Sequence, residues 1–301
     1  LVNFYLSYNS WYYYMKNKLS NIKKAIKYLN KNQCIGIPTE TVYGLAANAY
    51  SFVATNKIFK LKKRSRKNPL IVHYYDLKLL KKDCELNKRF LKLYSKYSPG
   101  PISYILKLKK ESLISTNVTN KEKTLAVRFP CHPVTRKLLK KLKYPLAAPS
   151  ANISTKISPV SKKDVQDEFA NKINLILDGG SSKIGVESTI INLINKPQIL
   201  RLGGIPKEEI KRYLKLNVKF NNRSIINSPG QGKTHYSPYI KLRLNIKNAN
   251  KSEAFILIKK RKKNSKNYFY LSKKNDLKEA AKNLYKTLRV IKKRKFKSIA
   301  V

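Results

Sequence analysis

Six short stretches hold the residues with chemistry to offer. PTETVYG carries Thr39, Glu40, Thr41 and Tyr43, and KLKKRSRKNPL carries Lys62, Arg64, Arg66 and Asn68. Arg128 follows TLAV, APSAN holds Ser150 and Asn152, GVESTI holds Ser188 and Thr189, and LRLGG holds Arg201. Hydroxyls, amides and guanidiniums dominate, with no carboxylate cluster and no nucleophile–base pair. Such a set suits an anion site, where fixed donors neutralise phosphate oxygens. A lone Ser or Thr at a strand end is ordinary turn or capping chemistry. Six such stretches in order carry more weight.

Other chemistries are poorly served. Cys34, Cys84 and Cys131 lie far apart without a C-x-x-C, and His73, His132 and His235 are equally scattered. Neither a disulfide framework nor a protein-held metal is expected. There is no G-x-S-x-G elbow. GQGKT (230–234) imitates a P-loop, but Asn227 stands where its first glycine belongs and no strand leads in. His235 reads as a hydrogen-bonding or packing group of a linker.

Elements able to position these residues follow from pattern. Ser20 reads as the cap of a helix with Ile22, Ala25, Ile26 and Leu29 on one face. Strands are expected in QCIGIP and at 68–74, 102–108, 124–129, 146–150, 173–178, 188–194 and 198–202. Helices are expected near 54–62, 85–97, 134–142 and 161–170, the last with Ser161 as cap and Asp164 at its third position. Strands separated by single helices make an α/β or α+β domain ending near 210. Residues 211–238, rich in Asn, Ser, Gly and Pro, read as a linker. Beyond it, strands at 255–258 and 268–271, a helix capped by Asp276 with Leu277, Ala281, Leu284 and Leu288 on one face, and a final SIAV strand make a small α/β unit. Residues 1–14 precede the only methionine, Met15, and stay unassigned.

The 301 residues carry 66 basic and 16 acidic side chains, a formal +50. A polyanion partner such as RNA is one reading. However, Lys outnumbers Arg 54 to 12 and is spread evenly, whereas selected phosphate and base recognition leans on Arg. No apolar run approaches a membrane span and no secretory signal is visible, so a cytoplasmic location is expected.

IPTETVYGLA, IFKLKKRSRKNPLIVH, SPGP, LAVRFPCHP, APSAN, GVESTI and ILRLGG together resemble the YrdC-type domain of threonylcarbamoyl-AMP synthases. SPGQGKTHYSP and the trailing unit resemble the long form of that family. The resemblance implies a twisted mixed α/β sheet of YrdC type with flanking helices over 15–210, a linker or lid over 211–238, and a small Rossmann-like α/β domain over 239–301. That last domain lacks the family's usual ending and resembles a truncated one. Also implied is condensation of L-threonine, bicarbonate or CO2 and ATP into threonylcarbamoyl-AMP and pyrophosphate. Mg2+ would accompany ATP, and a separate transferase complex would pass the product to tRNA.

By the same resemblance, Thr41, His73, Arg128, Ala148 and Ser188 would contact threonine. Arg64, Asn68, Thr124, Ser150, Ser158, Arg201 and Tyr236 would contact ATP, with Tyr236 closing from the linker. Lys62 and Arg64, the K-x-R pair, would be catalytic. Lys63 and Ser65 replace the Gly and Pro that usually flank that arginine, and Ser98 replaces the aromatic before P-G-P. The alternatives are an RNA-binding YrdC-like module and a paralogous enzyme handling another carbamoyl-adenylate.

Overall fold

The computed structural model describes residues 21–220, 236–261 and 265–301. The 1–14 leader, Ser20, GQGKT, His235 and most of the expected linker lie outside the described residues.

Helix α1 (21–30) buries Ile22, Ala25 and Leu29 as the spacing predicts. The chain then runs through β1 (Ile35–Ile37), β2 (Gly44–Asn48), α2 (Phe52–Lys62), β3 (Ile71–His73), α3 (Leu77–Asp83), α4 (Lys88–Tyr97) and β4 (Ile102–Lys107). It continues through α5 (Thr116–Thr119), β5 (Thr124–Arg128), α6 (Pro133–Lys140), β6 (Leu146–Ala147), α7 (Lys162–Phe169), β7 (Thr189–Asn192), β8 (Gln198–Arg201), α8 (Lys207–Leu214) and β9 (Lys219–Phe220). These strands form a nine-stranded mixed sheet in the order β1-β2-β6-β3-β5-β4-β7-β8-β9. β3 pairs in parallel with β5, β4 with β7 and β8 with β9, and the other neighbours are antiparallel.

Several expectations need correction. Residues 173–178 do not make a strand; only a bridge between Gly36 and Ile176 forms there. GLAAN is a strand instead. Its Gly and Ala residues carry no β-branched signal, yet they suit a position where four of five residues are buried. Helix α3 went unexpected although Asp76 caps it, its carboxylate accepting from Leu79 N at 3.1 Å. Asn87 caps α4 in the same way and starts it three residues later than expected. The sheet also continues past 210 through α8 and β9.

The expected capping box of α7 is present. Ser161 Oγ accepts from Asp164 N, and Asp164 accepts back from Ser161 N.

The second unit holds β10 (Lys241–Arg243), β11 (Ala254–Leu257), β12 (Tyr268–Tyr270), α9 (Leu277–Lys293) and β13 (Ser298–Ala300). Its sheet is parallel throughout, ordered β10-β13-β11-β12. β10, short and largely exposed, escaped the sequence pattern. Asp276 caps α9 as expected. Leu277 is 71% exposed, however, and the buried stripe is Ala280, Tyr285, Leu288 and Ile291. The stripe thus runs one turn later than the expected one.

That stripe joins the two units. Val42, Ile157 and Val160 of the first share an apolar cluster with Tyr285, Leu288 and Ile291 of α9. Arg289 Nη2 donates to Ile157 O at 2.6 Å, and Lys293 reaches Asp167 at 3.1 Å. Gly185 sits at φ +78°, and a Cβ there would meet the Lys282 carbonyl oxygen at 2.5 Å, so a side chain would both strain this turn and push α9 away.

Candidate active site

The loop 38–43 between β1 and β2 is buried throughout, which obliges its polar groups to find partners within the protein. Thr39 Oγ1 donates to Val42 O at 2.6 Å and accepts from the Thr41 and Val42 amides. Carbonyls of Thr39, Glu40 and Thr41 accept from Ser182 Oγ, Ile184 N and Gly185 N. Tyr43 Oη donates to Gly180 O at 2.8 Å and accepts from Gly179 N. Burial is the main cause that pushes this phenol up to about 12, so it stays a donor.

This loop forms one wall of a narrow cleft with a cavity of about 40 Å³. The opposite walls come from β3, β5, the 148–150 segment, the start of β7, the end of β8 and Tyr236. Thr41, His73, Arg128, Ala148 and Ser188, the five expected threonine contacts, all line it. So do Arg64, Ser150, Arg201 and Tyr236 of the expected ATP contacts.

Pairing of β3 with β5 sets His73 beside Arg128. Both are buried. Burial first, then the Arg128 charge, holds the imidazole well below its usual pKa, so His73 is neutral. Arg128 Nη2 donates to Glu40 Oε1 at 2.6 Å, and Cys131 N donates to Glu40 Oε2 at 3.1 Å. Burial would raise the Glu40 pKa, but the Arg128 charge and these hydrogen bonds outweigh it and the net shift is downward. Arg128 Nε and His73 Nδ1 are buried without a hydrogen-bond partner among the described residues. Unpaired polar atoms on two cleft-lining residues are what a polar ligand would satisfy.

Across the cleft, Ser188 Oγ lies 2.8 Å from Ser103 Oγ. Arg201 Nη2 donates to the Ser188 carbonyl and hydroxyl oxygens, and Nη1 reaches Tyr236 Oη at 3.5 Å. Gly203 permits this closeness, because a Cβ there would meet Glu187 O at 2.3 Å. Arg64 donates to Asn68 O and Oδ1 and to Pro69 O, which closes its loop. Burial is the main cause that brings its pKa down to about 10, which leaves it charged at neutral pH.

Four expected residues lie outside the cleft lining. Asn68 serves as the acceptor for Arg64, and Thr124 sits at the outer end of β5 beside a second depression. Ser158 is fully buried, its hydroxyl donated to Glu187. Lys62 is 1% exposed and donates to Ser150 O and Asn152 O at 2.5 Å each. Burial, helped by Arg64, drives its pKa well below the usual lysine value. Lys62 therefore supports the Ser150 segment from beneath, and among the K-x-R pair only Arg64 faces the cleft.

Glu187 was passed over in GVESTI although it lines the cleft. Its glutamate was the visible signal. Tyr285 was missed for another reason: only the folded chain brings it to Glu187, at 2.6 Å.

The family model described as telomere recombination, of the Sua5/YciO/YrdC group, matches residues 27–203. A second model, the threonylcarbamoyl-AMP synthase C-terminal domain, matches 205–301. The chain is 38% identical over 300 residues to the threonylcarbamoyl-AMP synthase of Schizosaccharomyces pombe, covering 89% of this chain and 71% of that one. This chain belongs to the threonylcarbamoyl-AMP synthase family. It is also 38% identical over 226 residues to the Pyrococcus abyssi synthase, covering 72% of this chain and 65% of that protein. The crystal structure of P. abyssi Sua5 complexed with L-threonine matches with TM-score 0.85 at 31% identity, covering 93% of this chain and 87% of that one. The α/β fold and the added C-terminal unit of this synthase-family chain are those of that structure.

Proposed function

We propose that this chain condenses L-threonine, bicarbonate and ATP into threonylcarbamoyl-AMP, releasing pyrophosphate and water. One observation carries the reading most: a single cleft gathers all five expected threonine residues, two of which, Arg128 and His73, each keep a buried nitrogen without a hydrogen-bond partner among the described residues. Support also comes from the similar structure that holds L-threonine.

Arg128 would present its remaining donors to the amino-acid carboxylate while Glu40 keeps its guanidinium oriented. Neutral His73, Thr41 and Ser188 suit the polar groups of threonine, with Ala148 as the wall. Attack of the threonine amine on CO2, with loss of a proton, or on bicarbonate, with loss of water, needs no protein nucleophile, and held proximity can supply ~7–11 kcal/mol of the barrier. The carbamate oxygen then displaces pyrophosphate from the α-phosphate, with charge on the transferring group met by Arg64 and Arg201. Lys62 is a positioning residue in this scheme, holding Ser150 and Asn152.

Magnesium enters as part of the nucleotide substrate. Among the described residues no three His, Cys, Asp or Glu gather to hold a metal. Mg2+ suits such a site because it keeps waters and binds phosphate oxygens. Product would pass to a tRNA threonylcarbamoyl transferase complex in the cytoplasm; among the described residues no helix is long and apolar enough to cross a membrane.

The test is pyrophosphate release from ATP and bicarbonate with each amino acid in turn. Release with threonine far above the others is expected. Equal release with all, or none with threonine, overturns the proposal.

A further inference from the structure

We propose that Tyr285 of the C-terminal unit is a positioning residue of the cleft: with Ser158 it holds the Glu187 carboxylate away from the guanidiniums that receive the triphosphate. The inference rests on reading the cleft as an ATP site.

Among the described residues Glu187 is the only carboxylate lining this cleft, which also holds Arg64 and Arg201. It directly precedes Ser188, whose carbonyl and hydroxyl take up the Arg201 guanidinium. A carboxylate so placed competes with phosphate oxygens for the same donors. Here both of its oxygens are engaged: Oε1 accepts from Ser158 Oγ at 2.5 Å and Oε2 from Tyr285 Oη at 2.6 Å. Burial, and then the Glu187 charge, raise the Tyr285 pKa well above that of an ordinary phenol, so its proton stays in place.

The donor cannot drift. Tyr285 is buried on α9, whose stripe packs against Val42, Ile157 and Val160, and the helix is pressed against Gly185 two residues before Glu187. Its ring also stacks on Tyr236, centroids 5.7 Å apart at 30°, and Tyr236 lines the cleft. The C-terminal unit thereby reaches the nucleotide end through one hydroxyl and one ring face. At that end, freeing the carboxylate should cost ATP binding and leave threonine binding alone.

The experiment is calorimetric titration of ATP, and separately of threonine, into the full chain and three variants. Tyr285→Phe keeps the stack and removes the hydroxyl; ATP affinity should fall roughly tenfold, the size of one charge-assisted hydrogen bond. Threonine affinity should move by less than about twofold. Tyr285→Phe combined with Glu187→Gln removes the competing charge and should bring ATP affinity back to within about threefold of wild type. Ser158→Ala, which frees the other oxygen without touching α9, should weaken ATP and be rescued by Glu187→Gln likewise. Unchanged ATP affinity in Tyr285→Phe, or a double variant as weak as the single, overturns the inference. Absence of threonine-dependent pyrophosphate release from the wild type would overturn the reaction assignment instead, and the titrations would still decide the role of Tyr285.

Discussion

Two buried glutamates, Glu40 behind the cleft-lining Arg128 at the proposed threonine end and Glu187 in the lining at the proposed nucleotide end, are restrained in opposite ways. Glu40 is paired with Arg128 and capped by the Cys131 amide, and the ion pair has side chains only 5% exposed. Glu187 is held by two hydroxyls, Ser158 and Tyr285. At the first end the ion pair fixes the arginine, whose remaining donors would meet the amino-acid carboxylate under the proposed reading. At the second, two neutral donors occupy the acid beside Arg64 and Arg201, which under the proposed reading would meet phosphate. One kind of side chain thus serves two electrostatic purposes, chosen by whether its partner is charged.

The largest expected effect breaks the first end. Glu40→Ala leaves Arg128 buried without its counter-charge and should cost about 3–5 kcal/mol of stability, read by denaturant unfolding. A loss below about 1 kcal/mol would mean the pair is not what holds Arg128. The sign of the pH dependence follows from the same residues. Both Glu40 and His73 have folded pKa values below their usual 4.5 and 6.5, so the unfolded chain binds more protons as pH falls. Stability is complete above those values. It should drop first below 6.5 through His73, and again below 4.5 through Glu40. His73→Gln should flatten the first step only.

Next is the floor between the ends. Lys62→Met keeps bulk but leaves the Ser150 and Asn152 carbonyls without their donor, which should cost ~1–3 kcal/mol and lower the rate of adenylate formation roughly 100-fold. Full activity and stability in this variant would show that Lys62 positions nothing.

A finer contrast separates the substrates. Arg128→Lys should raise the threonine KM by about tenfold or more and the ATP KM by less than about twofold, because a lysine cannot reproduce the forked contact. Equal shifts would erase the distinction between the two ends.

The smallest effect lies outside the cleft. Ser161→Ala removes one half of the α7 capping box and should cost about 1 kcal/mol in thermal unfolding. Both KM values should stay within about twofold of wild type.

Much of this was legible in sequence, for identifiable reasons. Long apolar runs such as ISYILKL and TLAVRF signalled β4 and β5, and the Ser161 and Asp276 caps lie where side-chain chemistry puts them. Seven motifs in order pointed to the cleft. What escaped was decided by tertiary context. GLAAN becomes a strand because burial on both faces suits small residues, and Ile176 bridges Gly36 without a strand forming around it. Lys62 is expected to be catalytic by its place in K-x-R; only the fold shows its amino group donating to two carbonyls. No local pattern could join Tyr285 to Glu187, since that contact spans 98 residues and exists only when α9 docks.

Incubating the full chain with ATP, L-threonine and carbon-13 bicarbonate and analysing the nucleotide products by mass spectrometry tests the proposed condensation itself. A threonine-dependent adenylate carrying one labelled carbon is expected, in step with pyrophosphate release. Pyrophosphate without the labelled adenylate, or an adenylate lacking the label, would show that the chain does not make threonylcarbamoyl-AMP from bicarbonate.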